Sequence, residues 1–162
     1  MRDIETNNTP YTREKDALRV VLAGPRDPVH PSITEELISE LVETFYAKAQ
    51  KDERLGPLFN DRLDGKWPMH LDRMKNFWSS VLLKSGKYKG KPVPVHMAIN
   101  EIESDDFRIW LQMFRTTAED VLGVEPAAPA ILAAERIAQS LWMAKFATPF
   151  DKVPEWMFAK RG

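Results

Sequence analysis

Two of the three histidines in this chain of 162 residues lie in apolar stretches where an imidazole could bind a metal. His70 shares one stripe at helical period with apolar and aromatic residues: Trp67, Leu71, Met74, Phe77, Trp78, Val81 and Leu82. An imidazole in such surroundings loses hydration, so it needs a partner. His96 lies in a short apolar segment with two prolines, too short to be a core helix. A neutral imidazole presented from such a segment towards an apolar cavity is what an axial iron ligand requires.

Other kinds of site find less support in the sequence. The absence of cysteine excludes disulfides, thiolate zinc sites, iron–sulfur clusters and cysteine nucleophiles. His70 and His96 are 26 residues apart, and neither forms the closely spaced pair typical of zinc sites. The Glu-x-x-His repeats of di-iron bundles, the G-x-S-x-G motif of serine hydrolases and glycine-rich phosphate loops are also missing.

The composition narrows the class of protein further. The 23 basic and 24 acidic residues are nearly balanced, which argues against a nucleic-acid binder, since such a protein would be clearly basic on one face. No apolar run approaches the roughly 20 residues of a membrane span. The N-terminus mixes both charges and does not resemble a signal peptide. We therefore expect a cytoplasmic protein.

Hydrophobic periodicity predicts four long helices and no strand, so the fold class is all-α. Ser32 and Glu35 have the spacing of a capping box that opens the first helix. Ser104 is predicted to cap the third helix, and Gly123 to end it. The second and fourth helices are predicted over 67–83 and 126–146. The segment 55–60 is predicted to be a tight apolar corner, and 85–92 a loop.

Three regions are predicted along the chain. Residues 1–31 are proline-rich and polar, so we expect a partly disordered N-terminal extension. Residues 32–147 form the helical domain. Residues 148–162 carry two prolines among Phe150, Trp156, Met157 and Phe158, and we expect this aromatic tail to pack back on the domain.

Three of the helical stripes each carry one residue with an apolar body and a polar tip: Tyr46, His70 and Trp110. Taken singly, each is more commonly an ordinary core residue. The set is more informative, because His96 comes from the short segment between the second and third helices and adds a candidate ligand. The third histidine, His30, lies outside the helical body beside two prolines, where we expect it to be solvated.

Six motifs in this order resemble those of the group III truncated haemoglobins. They are Phe45-Tyr46-Ala47-Lys48, Leu55-Gly56-Pro57-Leu58-Phe59-Asn60, Trp67-x-x-His70, Asn76-Phe77-Trp78, Gly86-x-Tyr88-x-Gly90-x-Pro92-x-x-x-His96 and Trp110-Leu111-x-x-Phe114. The match runs over about 32–146 and leaves both tails outside it. The absence of Gly-Gly pairs, which other truncated-globin groups carry, fits group III.

The resemblance implies a two-over-two helical sandwich around one b-type haem. His96 matches the proximal iron ligand. The distal polar positions match Tyr46, His70 and Trp110. Met74 matches an apolar distal position, and Phe77 and Trp78 match the pocket wall.

The implied function is the binding of dioxygen, carbon monoxide, nitric oxide or similar small ligands. A haem enzyme with peroxidase or nitric-oxide dioxygenase activity is the alternative, and a cofactor-free helical interaction module is a remote third. His70 could donate a hydrogen bond, swing outward as a gate or bind iron itself. Arg73, Tyr88 and Lys89 are candidate partners of the haem propionates, which favour basic or hydroxyl groups. The electron donor stays open.

Overall fold

Every regular element in the described part of the chain, residues 27–148 and 150–158 of a computed structural model, is helical. The helices are α1 (Glu35–Lys51), α2 (Leu55–Leu63), α3 (Trp67–Leu82), α4 (Pro92–Met97), α5 (Ser104–Leu122) and α6 (Val124–Phe146), followed by a 3-10 turn (Glu155–Met157). The predicted all-α class is thus confirmed. None of these helices is both long and apolar enough to cross a bilayer.

The helices form two layers. The α5 and α6 helices pack against each other as one pair, and α1 crosses α5 while also contacting α2 and α3. The short helix α4 packs on α6. The core between the layers is built from fully buried apolar side chains such as Ile38, Leu41, Leu111 and Phe114, each worth about 1.5–3 kcal/mol of burial. The fold is therefore a two-over-two helical sandwich.

The first helix begins two residues later than the sequence predicts, since its N-cap is Thr34 rather than Ser32. The Thr34 hydroxyl accepts a hydrogen bond from the Leu37 amide (3.2 Å). The predicted capping box of Ser32 and Glu35 is wrong, because Glu35 is itself the first helical residue. Its carboxylate instead accepts a hydrogen bond from the Ser79 hydroxyl (2.7 Å), which ties α1 to the end of α3.

The segment predicted as a tight corner is the helix α2. The Asp52 carboxylate accepts hydrogen bonds from the amides of Arg54 (2.9 Å) and Leu55 (2.8 Å), so it caps the free donors at the helix start. A Cβ at Gly56 would lie 2.7 Å from the Gln50 carbonyl oxygen. Glycine therefore lets α2 turn closely against the end of α1.

The long hairpin of α5 and α6 also differs at its start. The N-cap of α5 is Glu103 rather than Ser104, because the Asp106 carboxylate accepts the Glu103 amide (2.7 Å). The Ser104 hydroxyl accepts a hydrogen bond from the Trp142 indole (2.7 Å) instead, which joins α5 to α6. Gly123, with φ of 87°, ends α5 as predicted, and α6 begins at the next residue.

The aromatic tail packs back on the domain only in part. Met157 is fully buried against α5 and α6, and Arg115 donates a hydrogen bond to the Trp156 carbonyl (3.2 Å). Phe150 is 94% exposed and Phe158 is 51% exposed, so the prediction fails for these two rings. The helices do not cover the rings of Phe150 and Phe158, because only Trp156 and Met157 of the 3-10 turn pack against the domain.

The predicted N-terminal extension lies mostly outside the described residues, as does the end of the tail after residue 158. The last part of the extension is described from residue 27. There the Val29 amide donates to the Leu82 carbonyl (2.9 Å), so the chain enters α1 against the end of α3.

Replacing Met157 by alanine should lower the free energy of unfolding by about 2–5 kcal/mol, the range for truncating a buried methionine. Urea unfolding followed by circular dichroism measures the change. Phe158→Ala, one residue later and half exposed, is the matched control and should change stability by less than about 1 kcal/mol. Equal effects of the two changes would mean that the tail is not anchored through Met157.

Candidate functional site

The Tyr46 ring sits at the centre of an aromatic cluster drawn from three helices. It makes edge contacts with His70 (ring centroids 4.9 Å apart), Phe59 (5.5 Å) and Trp67 (5.9 Å). The periodicity of α1 turns Tyr46 inward, where it is only 7% exposed. Two of the predicted distal residues, Tyr46 and His70, are therefore in direct ring contact.

Trp110 reaches the same region from α5. Its indole stacks on Phe114 (5.6 Å) and makes an edge contact with Phe45 (5.8 Å), which in turn contacts Tyr46 (5.0 Å). A small cavity of about 10 Å³, the size of roughly one water molecule, lies here. It is lined by Leu41, Val42, Phe45, Tyr46, Trp78, Trp110 and Phe114. Tyr46 and Trp110 thus border one internal space.

The His70 ring is held in an apolar environment that keeps it neutral. Burial, with smaller contributions from the nearby charges of Arg73 and His96, lowers the pKa of His70 to about 4. Among the described residues, its Nε2 atom is buried and has no hydrogen-bond partner. A buried polar atom without a partner is costly and points to a group that the described residues do not include. Burial also raises the pKa of Tyr46, so this phenol stays protonated.

His96 is presented by the six-residue helix α4. Pro92 occupies the first helical position and Pro94 the third, where amide hydrogens have no partner within the helix, so neither proline costs a hydrogen bond. The Nδ1 atom of His96 lies 2.7 Å from the Pro92 carbonyl oxygen. A carbonyl oxygen only accepts, so Nδ1 carries the hydrogen. The lone pair of Nε2 is then the one that can bind a metal.

The two imidazoles approach each other from different helices. The charge of His96 is close enough to His70 to contribute to its lowered pKa. Yet α3 packs mainly on α1 and α4 packs on α6, with no extensive contact between α3 and α4 in the described chain. The histidines therefore lie near each other on two helices that are supported from opposite layers.

The predicted pocket-wall residues follow along α3. Trp78 is buried and stacks on Phe114 (4.8 Å), so it belongs to the core stack beneath Trp110. Phe77 contacts Trp78 (5.2 Å) and lies nearer the surface, as does the half-buried Met74.

The three candidate propionate partners do not form one tight cluster. The Tyr88 ring packs on Phe77 (5.1 Å), which places it beside α3. Arg73 lies one turn before Phe77 on the same helix, and Lys89 follows Tyr88 in the loop. Arg73 and Lys89 are exposed, and within the described chain neither makes an ion pair.

Phe45 and Phe59 stand in two of the six motifs, but neither was predicted to be a site residue. Phe59 lies in the segment predicted as a corner, and the helix α2 is what directs its ring onto Tyr46. The apolar spacing of Leu55, Leu58 and Phe59 was the available signal for that helix. No group of three or more metal-ligating side chains occurs in residues 27–148 and 150–158.

The cofactor-free protein should lose stability as the pH falls from about 6.5 towards 4. In that window the unfolded chain protonates His70, whereas the folded chain does not, so acid favours unfolding. His70→Phe keeps an aromatic ring and should flatten this part of the profile in urea titrations at several pH values. His30→Gln is the control, since His30 lies outside the cluster. A profile unchanged by His70→Phe would contradict the burial of a neutral imidazole.

Comparison with known proteins supports a common origin for this arrangement. No family model matches the chain. The group 3 truncated hemoglobin ctb of Campylobacter jejuni is 36% identical over an alignment of 97 residues, and the match covers 58% of this chain and 76% of that protein. A crystal structure of group III truncated hemoglobin from Campylobacter jejuni superposes with a TM-score of 0.68 at 32% identity, and the match covers 72% of this chain and 94% of that one. The chain therefore belongs to the group III truncated haemoglobins, a family of globin-type haem proteins.

Proposed function

We propose that the chain holds one b-type haem in the space between α3 and α4, with His96 as the axial ligand, and that it binds dioxygen and other diatomic ligands. The observation that carries the proposal is the hydrogen bond between His96 Nδ1 and the Pro92 carbonyl. It fixes the tautomer and the ring orientation that an iron ligand needs.

The residues around the space fit a flat apolar group. Met74 and Phe77 are half-buried on α3, while Val95 and Met97 flank His96 and are 60% and 47% exposed. Exposed apolar side chains beside a candidate ligand are surface that a porphyrin would cover. The unpartnered Nε2 of His70 supplies a polar atom on the opposite side.

The haem would supply an iron atom that binds diatomic molecules. The Tyr46 hydroxyl and the Trp110 indole N–H would donate hydrogen bonds to the ligand. Dioxygen gains partial negative charge on binding and carbon monoxide does not, so such donors favour dioxygen. Because burial raises its pKa, the Tyr46 hydroxyl keeps its proton and is suited to donate a hydrogen bond rather than to accept one. His70 would act as a further donor or as a gate towards the surface.

The pocket mouth would hold the two propionates. Arg73 is exposed on α3 and makes no ion pair with any described residue, Lys89 is exposed in the following loop, and Tyr88 lies between them in sequence. Charge-assisted hydrogen bonds from these groups would fix the orientation of the porphyrin ring.

The absorption spectrum of the purified protein tests the proposal. We expect a Soret band with one haem per chain by pyridine haemochrome assay, and spectral shifts when carbon monoxide or dioxygen is added to the reduced protein. A protein that cannot be loaded with haem would favour the helical interaction module instead.

A second candidate function, peroxidase activity, is favoured by His70. Its imidazole stays neutral at ordinary pH, and Nε2 has no partner among the described residues, so it could take a proton from hydrogen peroxide. Oxidation of a phenolic dye by peroxide, compared between wild type and His70→Leu, tests it. Consumption of nitric oxide by the oxygenated protein tests the dioxygenase alternative.

A further inference from the structure

The positive charge of this chain is concentrated in one segment. Residues 66–91 hold seven of its 23 basic residues and one of its 24 acidic residues, so the remainder of the chain is clearly acidic. The formal net charge of the whole chain is only −1, because the basic segment and the acidic remainder nearly cancel. A local field of one sign steers partners of the opposite sign.

Part of this segment lies along one face of α3, the face that also carries His70. Lys66, His70, Arg73 and Phe77 recur at steps of three and four along one face of α3, and the His70 amide bonds to the Lys66 carbonyl (3.0 Å). The loop after α3 turns back along this helix. The Tyr88 ring packs on Phe77 there (5.1 Å).

Six of the seven cations are exposed, and five of these six make no ion pair within the described chain: Lys66, Arg73, Lys84, Lys89 and Lys91. We call these five residues the basic rim. The other two cations are neutralised by α1, since Lys75 pairs with Glu43 (2.8 Å) and Lys87 with Glu35 (2.9 Å). With Arg73 and Lys89 assigned to the propionates, Lys66, Lys84 and Lys91 remain available to a partner.

We propose that the basic rim is the docking surface of a small acidic electron-transfer protein that reduces the haem iron. The proposal rests on the proposed function, because it needs a haem whose edge lies beside Arg73 and Tyr88. The partner would give up one electron, which would reduce ferric haem to the ferrous form. The cations would steer the acidic protein towards the haem edge, from which an electron could reach the iron.

A compact partner fits this surface better than an extended polyanion. The rim is bordered by the acidic outer face of α1, where Glu36 and Glu40 are exposed. A nucleic acid or an anionic membrane would extend over those carboxylates and be repelled. A small acidic protein can contact the rim alone.

Reduction of the ferric holoprotein by two flash-generated flavin semiquinones tests the sign of the charge at the rim. Lumiflavin is neutral and FMN carries a phosphate, while both give one electron and release one proton. At an ionic strength of about 0.01 M, the Debye screening length is about 30 Å. Under these conditions the FMN semiquinone should reduce the wild-type protein faster than the lumiflavin semiquinone does. The FMN rate constant should fall about ten-fold towards 1 M salt, and the lumiflavin rate constant should not.

Charge-reversing variants test which lysines cause the salt-dependent reduction by FMN. Lys84→Glu combined with Lys91→Glu should slow reduction by FMN at low salt and invert its salt dependence. Lys152→Glu is the control, since Lys152 is an exposed lysine in the tail outside the rim. Lys66→Glu, on the other side of the rim, provides an independent variant if the double change impairs folding. The proposal would be overturned if the FMN rate constant did not depend on salt. It would also be overturned if Lys152→Glu changed this rate constant as much as the double substitution does.

A second experiment tests docking of a protein partner, with a photoreduced acidic plant-type ferredoxin as the probe. Wild type should show saturating reduction kinetics that weaken with salt, and the double variant should lose saturation. Tighter binding to a DNA duplex or to anionic phospholipid vesicles at about 0.15 M salt would overturn the proposal in favour of a polyanion. The absence of a Soret band would contradict the proposed function. A haem-loaded protein whose reduction rate does not depend on charge would contradict only the proposed docking surface.

Discussion

His96→Ala should abolish stable haem retention while leaving the protein helical. The imidazole is the proposed axial ligand, its Nδ1 atom is engaged with the Pro92 carbonyl, and α4 carries no second histidine. The Soret absorbance after gel filtration should fall to a small fraction of the wild-type value. Circular dichroism should still report helices, because the core between α1, α5 and α6 does not use His96.

Added imidazole provides the control for this substitution. Free imidazole should partly restore the Soret band of His96→Ala, since it can occupy the space of the deleted side chain. His30→Ala should retain haem as wild type does. If His96→Ala kept a full Soret band with the spectrum of an imidazole-ligated haem, another residue would be the ligand and His70 would be the first candidate.

Tyr46→Phe should speed dioxygen dissociation about ten- to a hundred-fold, because a hydrogen bond to a charged group contributes roughly 1.5–3 kcal/mol. Carbon monoxide dissociation should change much less, since that ligand stays neutral. The phenyl ring preserves the contacts with His70, Phe59 and Trp67, so packing is little altered. Stopped-flow ligand replacement measures both rates.

Trp110 offers a second test of the same hydrogen-bond network. Trp110→Phe should show the same preference for speeding dioxygen loss, and its effect should not add to that of Tyr46→Phe if both donors share one ligand. Both residues line one small cavity, which supports such coupling. Equal acceleration of dioxygen and carbon monoxide would instead assign Tyr46 a steric role.

Local sequence signals were sufficient where a helix depends on its own periodicity. The stripe around His70 predicted α3 to within one residue at its end, and Gly123 marked the end of α5 correctly. Apolar spacing decides these elements because burial of one face is their main source of stability. The order of the six motifs was likewise enough to indicate the family.

Local signals were misleading where polar side chains choose between near and distant partners. Ser32, Glu35 and Ser104 have the spacing or type of capping residues, yet Glu35 binds Ser79 on α3 and Ser104 binds Trp142 on α6. A hydroxyl or carboxylate bonds whichever group the fold brings within reach. That choice depends on residues 38 or more positions away, which no local pattern contains.

The sequence by itself determined the all-α class, the helical stripes and the identity of the polar residues on them. Only the tertiary structure decided which of these residues meet. It turned the 55–63 segment into a helix that directs Phe59 onto Tyr46, and it left Phe150 in solvent. It also brought His70 near His96 across two separately supported helices. The reason is physical: periodicity sets which face of a helix is buried, whereas packing between helices sets what that face touches.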